Sequence, residues 1–145
     1  MGRSIKIKRM DLRRRLDLLL AILLPVCAVA CRQPSSVETF LRPDQVSLDG
    51  SYRFSVDMSD TTAVYDISFY TLMDGDFSGS FPVNVRVKSP SGRKFEDHVY
   101  WDVSDQEVLY RKDISPCESG EWEISVYVDK LKGMRGMGLI CGKHN

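Results

Sequence analysis

The segment Glu-Trp-Glu-Ile-Ser-Val-Tyr-Val at residues 121–128 decides the fold class, because apolar and polar residues alternate along it. A period of two places successive side chains on opposite faces of a β-strand, so that one face is apolar and the other is wetter. The same alternation recurs from residue 50 onward, with Tyr52, Phe54, Val56 and Met58, then Tyr65, Ile67 and Phe69, then Val83, Val85 and Val87 as its apolar members. The chain after residue 31 is therefore predicted to consist of half-buried strands.

Turn signals separate these strands. Ser89-Pro90-Ser91-Gly92 has proline at its second position and glycine at its fourth, which suits a type I turn. Weaker apolar runs at 99–102, 108–114 and 137–141 supply further strands, and we expect the last of them to form a hairpin with 122–128. About seven or eight short strands at this spacing favour an all-β fold, an antiparallel β-sandwich, over a barrel.

The first thirty residues have the three parts of a secretory signal. Basic residues precede an apolar run at 18–29, and the small residues Ala28 and Ala30 come just before Cys31. The run is shorter than the roughly 20 residues of a membrane span. We predict cleavage between Ala30 and Cys31, with Met10 as an alternative start. An ordinary secretory peptide and an uncleaved anchor are the other interpretations.

The residues around the predicted cleavage site resemble the lipobox of bacterial lipoproteins, with Ala28 where leucine is usual. That resemblance implies a diacylglyceryl group on the Cys31 thiol, often followed by an acyl group on the new N-terminus. Two or more acyl chains are enough to hold a soluble domain on a bilayer. The chain is thus divided into a signal peptide at 1–30, a lipid-anchored tether with a candidate edge strand at 31–48, and a β-sandwich domain at 49–145.

Charge is distributed unevenly along the chain. Residues 1–30 hold seven Lys or Arg and two Asp, and subtracting these from the 20 basic and 20 acidic residues leaves 13 and 18 in the body. The mature body therefore has a net charge near minus five. Nucleic-acid binding needs a basic face that displaces counterions from phosphates, so we expect no nucleic-acid partner.

Cys117 and Cys141 are the only cysteines left once Cys27 is removed and Cys31 is acylated. In an oxidising compartment such a pair tends to form a disulfide. A hairpin between the last two strands would place Cys141 opposite residue 121, roughly 13 Å from Cys117, whereas bridged Cα atoms lie within about 7 Å. The chain would have to fold back for the disulfide to form. The alternative is two buried thiols that behave as small apolar side chains.

Catalytic, metal and cofactor signals are weak. His98 and His144 lack metal-ligand spacing, and no nucleophile elbow or phosphate loop is present. Asp74 and Asp76 flank Gly75 in a loop, but their spacing matches no complete calcium loop. We predict no catalytic residues, no metal and no cofactor, and we name Asp74, Asp76 and Trp101 as candidate ligand contacts. A dispersed hydrolase site around His98 is a further alternative.

Residues 49–142 resemble the gliding-motility lipoprotein family that includes the H component. The resemblance rests on Tyr65-Asp66-Ile67-Ser68-Phe69-Tyr70, on residues 83–92, and above all on the closing run from Gly120-Glu121-Trp122 to Met134-Arg135-Gly136-Met137-Gly138-Leu139-Ile140. The middle strands depart from the family, with Tyr70-Thr71-Leu72 and Val83-Asn84-Val85 where it has arginine-rich and asparagine-bearing positions. The resemblance implies a non-enzymatic envelope lipoprotein, part of or accessory to a gliding-motility or secretion-type apparatus, and carries no catalytic residue.

We therefore expect an outer-membrane lipoprotein that is held to the membrane through Cys31 and that docks other envelope proteins. The first acidic residue after Cys31 is Glu38, whereas surface-exposed lipoproteins of related bacteria tend to carry acidic residues sooner. This favours the periplasmic face. The alternative function is a glycan- or peptide-binding lipoprotein module.

Replacing Cys31 tests the predicted anchor. When the full chain is expressed with labelled palmitate in a lipoprotein-processing bacterium, Cys31→Ser should remove the label because the acceptor thiol is lost. Cys27→Ser is the matched control and should keep it. Label that persists in Cys31→Ser would contradict acylation at this position.

Overall fold

The computed structural model describes residues 35–75, 79–102, 107–129 and 132–144. Cleavage at Ala30 and acylation of Cys31 lie outside these residues and stay predictions. The described residues form one 3-10 turn, Pro43–Gln45, and eight strands: β1 Ser35–Leu41, β2 Ser51–Asp57, β3 Val64–Met73, β4 Ser80–Lys88, β5 Lys94–Asp102, β6 Val108–Ile114, β7 Glu121–Val128 and β8 Met134–His144. Over the same residues, no helix has the length and apolar character needed to span a bilayer.

The strands form two four-stranded antiparallel sheets. Sheet A has the order β1-β8-β3-β6, and sheet B has the order β2-β7-β4-β5. Strand 1 pairs with 8, 2 with 7, 3 with 6 and 4 with 5, so the chain is one long antiparallel ribbon wrapped into two sheets. This connectivity is that of a jelly roll. The predicted antiparallel β-sandwich is confirmed.

The structure corrects one sequence-based boundary and one pairing. β1 pairs with β8 along its whole length, so the sandwich includes residues from Ser35 and does not begin at 49. The candidate edge strand within residues 31–48 is β1, at the edge of sheet A. β7 and β8 lie in different sheets, so the expected hairpin between them is absent. Alternation shows that a segment is a strand, but it does not say which sheet the next strand joins.

The core lies between the inward faces of the two sheets. Phe54 of β2 and Ile124 of β7 are opposite each other in sheet B, and Phe69 of β3 is opposite Leu139 of β8 in sheet A. All four are at least 98% buried, and the Phe54 and Phe69 rings meet across the interface with centroids 6.0 Å apart. Burying each such side chain contributes about 1.5–3 kcal/mol, so these inward rows supply most of the stability.

The glycines of β8 let aromatic rings lie directly on sheet A. On the outer face, the Phe40 ring of β1 covers Gly136, and the Tyr70 ring of β3 covers Gly138. The two rings stack with an interplanar angle of 15°. A Cβ at Gly138 would overlap the Tyr70 ring, so glycine is what allows this close approach. Gly136 and Gly138, which belong to the closing run of the sequence, thus have a packing role.

Gly138→Ala tests this ring-on-glycine packing. The added methyl overlaps the Tyr70 ring, so we expect the free energy of unfolding to fall by about 1–3 kcal/mol in urea denaturation. Gly142→Ala is the matched control, because its Cβ would be 3.5 Å from the nearest atom, and its stability should change little.

Combining Gly138→Ala with Tyr70→Ala should recover part of the loss, because the overlapping ring is gone. If Gly138→Ala lowers the free energy of unfolding as much in the Tyr70→Ala background as in the parent, the Tyr70 ring is not the cause of the loss.

Candidate functional site

Trp101 lies in the core and does not contact solvent as a ligand-binding residue would. Only 3% of it is exposed, and its ring stacks on Phe69 at a centroid distance of 4.8 Å. Phe81 meets the same ring edge-on. The alternation of β5 points Val99 and Trp101 inward and Tyr100 outward. The expected ligand contact at Trp101 is therefore corrected, and the neighbouring Tyr100, with 76% of its surface exposed, points to solvent instead.

The predicted acidic ligand contacts are only partly described. Asp74 follows β3 at an exposed position and forms an ion pair with Arg135 at 3.5 Å, while its backbone N–H donates to the Gly133 carbonyl. Asp76 lies outside the described residues, so its role stays a prediction. Across the described part of the chain, no group of three or more His, Cys, Asp or Glu side chains could hold a metal ion.

Cys117 and Cys141 are free thiols in this structure. Cys141 is buried on the inward face of β8, opposite Ile67, whereas Cys117 is exposed in the loop before β7. The structure differs from the expected disulfide, because the Cys117 thiol is exposed in a loop whereas the Cys141 thiol is buried between the sheets. The alternative of a buried thiol fits Cys141 but not Cys117. Burial, with a smaller contribution from Asp66, raises the pKa of the Cys141 thiol to about 11, so this thiol is protonated at neutral pH.

The outer face of sheet A carries the first candidate surface, which we call the apolar face. Its apolar side chains come from all four strands of the sheet. Leu72 is 48% exposed and Leu109 is 54% exposed, and the other members are half-buried. The face consists of Phe40, Tyr70, Leu72, Leu109 and Ile140.

Tyr70 has a polar hydroxyl group on the apolar face, and Glu38 holds this hydroxyl in place. Its hydroxyl donates a hydrogen bond to the Glu38 carboxylate of β1. Desolvation and this carboxylate raise the pKa of Tyr70 to about 12, so the phenol keeps its proton. The stacked rings and the hydrogen bond together hold this part of the face in one arrangement.

The outer face of sheet B carries the second candidate surface, which we call the polar face. A continuous chain of contacts crosses its four strands. The Arg86 guanidinium contacts Glu96 at 2.6 Å and donates to the Tyr127 hydroxyl at 2.9 Å. That hydroxyl donates to Asp49 at 3.1 Å, and Arg53 contacts the same carboxylate at 2.7 Å.

Asp49 is the most heavily hydrogen-bonded group in this chain of contacts. The Ser51 hydroxyl and the Arg53 guanidinium hold the pKa of the Asp49 carboxyl far below its usual range. The Arg86 guanidinium also lies 5.2 Å from the centre of the Tyr127 ring. The side chains are therefore fixed by one another, and the two arginines are both neutralised by carboxylates.

Two clefts open on the polar face. The larger, of about 910 Å³, lies where the β1–β2 loop meets the end of the sheet, and Leu48, Asp49, Pro82 and Asp129 are among the residues that line it. The smaller, of about 190 Å³, is lined by Arg86, Glu96 and His98. Asn84 and Tyr127 line both clefts, so the two are adjacent. This site could not be predicted from the sequence, because Asp49 and Tyr127 are far apart along the chain.

His98 has an amide partner, not a carboxylate. Its Nδ1 atom is hydrogen-bonded to Asn84 Oδ1 on the polar face. The neighbouring Asp97 points to the other side of β5, where it accepts from the Tyr110 hydroxyl at 2.5 Å and from Arg111 at 2.6 Å. Within the described residues, His98 therefore lacks the carboxylate contact that a hydrolase triad would need.

No protein-family model and no curated protein matches this chain. The apolar face and the polar face are consequently the features that bear on function. They lie on opposite sides of the sandwich, since one is the outer face of sheet A and the other is the outer face of sheet B.

Asp97 links the edge strands β5 and β6 of the two sheets, and Asp97→Asn tests that link. The Tyr110 hydroxyl and then Arg111 lower the pKa of Asp97 in the folded state. Because the folded pKa is below the unfolded one, the stabilisation is fully present above about pH 4 and is lost as pH falls through the folded value.

In denaturation experiments, Asp97→Asn should lower the free energy of unfolding by about 1 kcal/mol near neutral pH, and the difference from the parent should shrink below about pH 4. Asp44→Asn, at an exposed residue of the 3-10 turn, is the control and should change little at either pH. A pH-independent loss for Asp97→Asn would contradict the link.

Proposed function

We propose that this chain is a non-enzymatic, lipid-anchored envelope protein that docks another envelope protein through its apolar face. The partner belongs to a gliding-motility or secretion-type apparatus, as the resemblance of residues 49–142 implies. The observation that carries the proposal is the apolar face, on which Leu72 and Leu109 are each about half exposed on the same sheet.

The composition of the apolar face suits a protein partner. Soluble monomers seldom leave large contiguous apolar patches uncovered, and such patches mark interaction sites. The centres of protein interfaces are depleted in charge and enriched in aromatic side chains, which here are Phe40 and Tyr70. The stacking of these rings on β8 also means that the face is already arranged before a partner binds.

Chain length supports anchoring close to the bilayer. Only Arg32, Gln33 and Pro34 separate Cys31 from Ser35, and an extended segment of that length spans at most about 14 Å. Ser35 is opposite Lys143, at the end of β8, and Leu41 is opposite Met137, near its beginning. An acylated Cys31 would therefore keep the Ser35 end of β1 near the membrane. The opposite end, with the β1–β2 loop, would face away from it.

The proposed location is the periplasmic face of the outer membrane, because the acidic signal for surface export is delayed to Glu38. The mildly acidic body suits protein partners better than nucleic acid. In this location the apolar face, which runs along the side of the sandwich, is presented to a neighbouring protein.

Replacing Leu72 and Leu109 together by Glu tests the docking surface. Both side chains are about half exposed, so the fold should persist, but two charges would be desolvated in the interface. We expect at least about tenfold less partner in co-purification from detergent-solubilised envelopes of the native host.

Phe95→Glu is the control, since Phe95 is 51% exposed but lies on sheet B, outside the apolar face. It should keep the partner. Melting curves of each variant verify folding. Equal recovery of partner by all three proteins, or no stoichiometric partner with the parent chain, would contradict the proposal.

A further inference from the structure

The polar face combines a ligand-sized cleft with side chains that the docking role does not use. Small-molecule sites commonly have volumes of about 300–1,000 Å³, and the larger cleft, at about 910 Å³, lies within that range. Asn84 and Tyr127 connect it to the smaller cleft, which extends toward His98. We propose that this site binds a neutral saccharide, independently of the docking role of sheet A.

Charge argues against an anionic ligand. Arg53 is paired with Asp49, and Arg86 is paired with Glu96. Among the described residues that line the larger cleft, none is Lys or Arg, so an anionic group would find no unpaired cation there. A neutral ligand is recognised instead by hydrogen-bonding groups, the Asp129 carboxylate among them, and by apolar contact.

Hydrogen-bonding groups with spare capacity line the clefts. Asn84 uses its amide oxygen for His98, which leaves its two amide N–H donors without a partner among the described residues. The Asp129 carboxylate and the Ser47 hydroxyl line the larger cleft as acceptors. Hydroxyl groups of a sugar can accept from the amide and donate to the carboxylate at the same time.

An exposed aromatic ring lies next to these groups. Tyr100 is 76% exposed and is opposite Pro82, a residue that lines the larger cleft. Asn84 and His98 are the next outward-facing pair on the same two strands. The C–H face of a sugar ring can cover the apolar ring of Tyr100 while its hydroxyls reach Asn84. This arrangement of one ring beside one amide favours a saccharide over an extended peptide, which would use backbone hydrogen bonds at a strand edge.

The test is binding of the full-length, detergent-solubilised lipoprotein to an array of neutral, sialylated and sulfated oligosaccharides, with a random-peptide array in parallel. We expect retention of neutral oligosaccharides. Asn84→Ala and Tyr100→Ala should each weaken binding of the best of them at least about tenfold in titration calorimetry. Both residues are exposed, so melting temperatures should stay near that of the parent.

Leu109→Ala, on the apolar face, is the matched control and should bind as the parent does. Leu109→Ala also separates the two proposals, because it alters the apolar face and leaves the polar face intact. Saccharide binding and partner docking can therefore each be lost without the other. No retained saccharide, preference for the sialylated or sulfated sugars, binding to peptides only, or undiminished binding in both Asn84→Ala and Tyr100→Ala would each overturn the inference.

Discussion

The alternation of side chains along each β-strand is the constraint on which the whole molecule depends. It places Phe54, Phe69 and Ile124 in one core between two sheets, and it places every second residue on an outer face. The two outer faces then differ in chemistry because their sequences differ. The outer face of sheet A presents apolar and aromatic side chains beside the Asp66–His144 pair, whereas that of sheet B presents a chain of paired charges and the Asn84 amide. One local rule thus produces both the stability of the protein and the two surfaces available for function.

β8 has a special position within this scheme. It lies between β1 and β3, and its outward positions 136 and 138 are glycines that receive the rings of Phe40 and Tyr70. A strand with so little side chain on one face would be weak by itself, and the neighbouring rings supply the missing contacts. The same packing brings two aromatic side chains onto the apolar face, so the stability of β8 and the character of that face have a common origin.

Much of the fold could be predicted from local patterns, and the candidate sites could not. The period of two identified the strands, and Ser89-Pro90-Ser91-Gly92 does form a turn, with the Gly92 N–H donating to the Ser89 carbonyl at 2.9 Å. Local patterns do not specify which sheet a strand joins. For that reason, the expected pairing of β7 with β8 was wrong. The separation of Cys117 and Cys141 that was calculated from this pairing therefore does not apply.

The inward direction of the Trp101 side chain is a second example of what local sequence patterns do not specify. Its alternation with Tyr100 was visible in the sequence, but which of the two faced the core depended on the register of β5 against β4. The chain of contacts from Glu96 to Arg53 likewise joins residues from all four strands of sheet B, and no spacing in the sequence indicates it.

The central claim is that another protein covers the apolar face in the native envelope. Hydroxyl-radical footprinting of intact envelopes, compared with the purified full-length protein, tests it most directly. The account predicts that Leu72, Leu109 and Tyr70 are labelled in the purified protein and protected in envelopes, while Phe95 is labelled equally in both. Equal labelling of Leu72, Leu109 and Tyr70 in the two samples would contradict it.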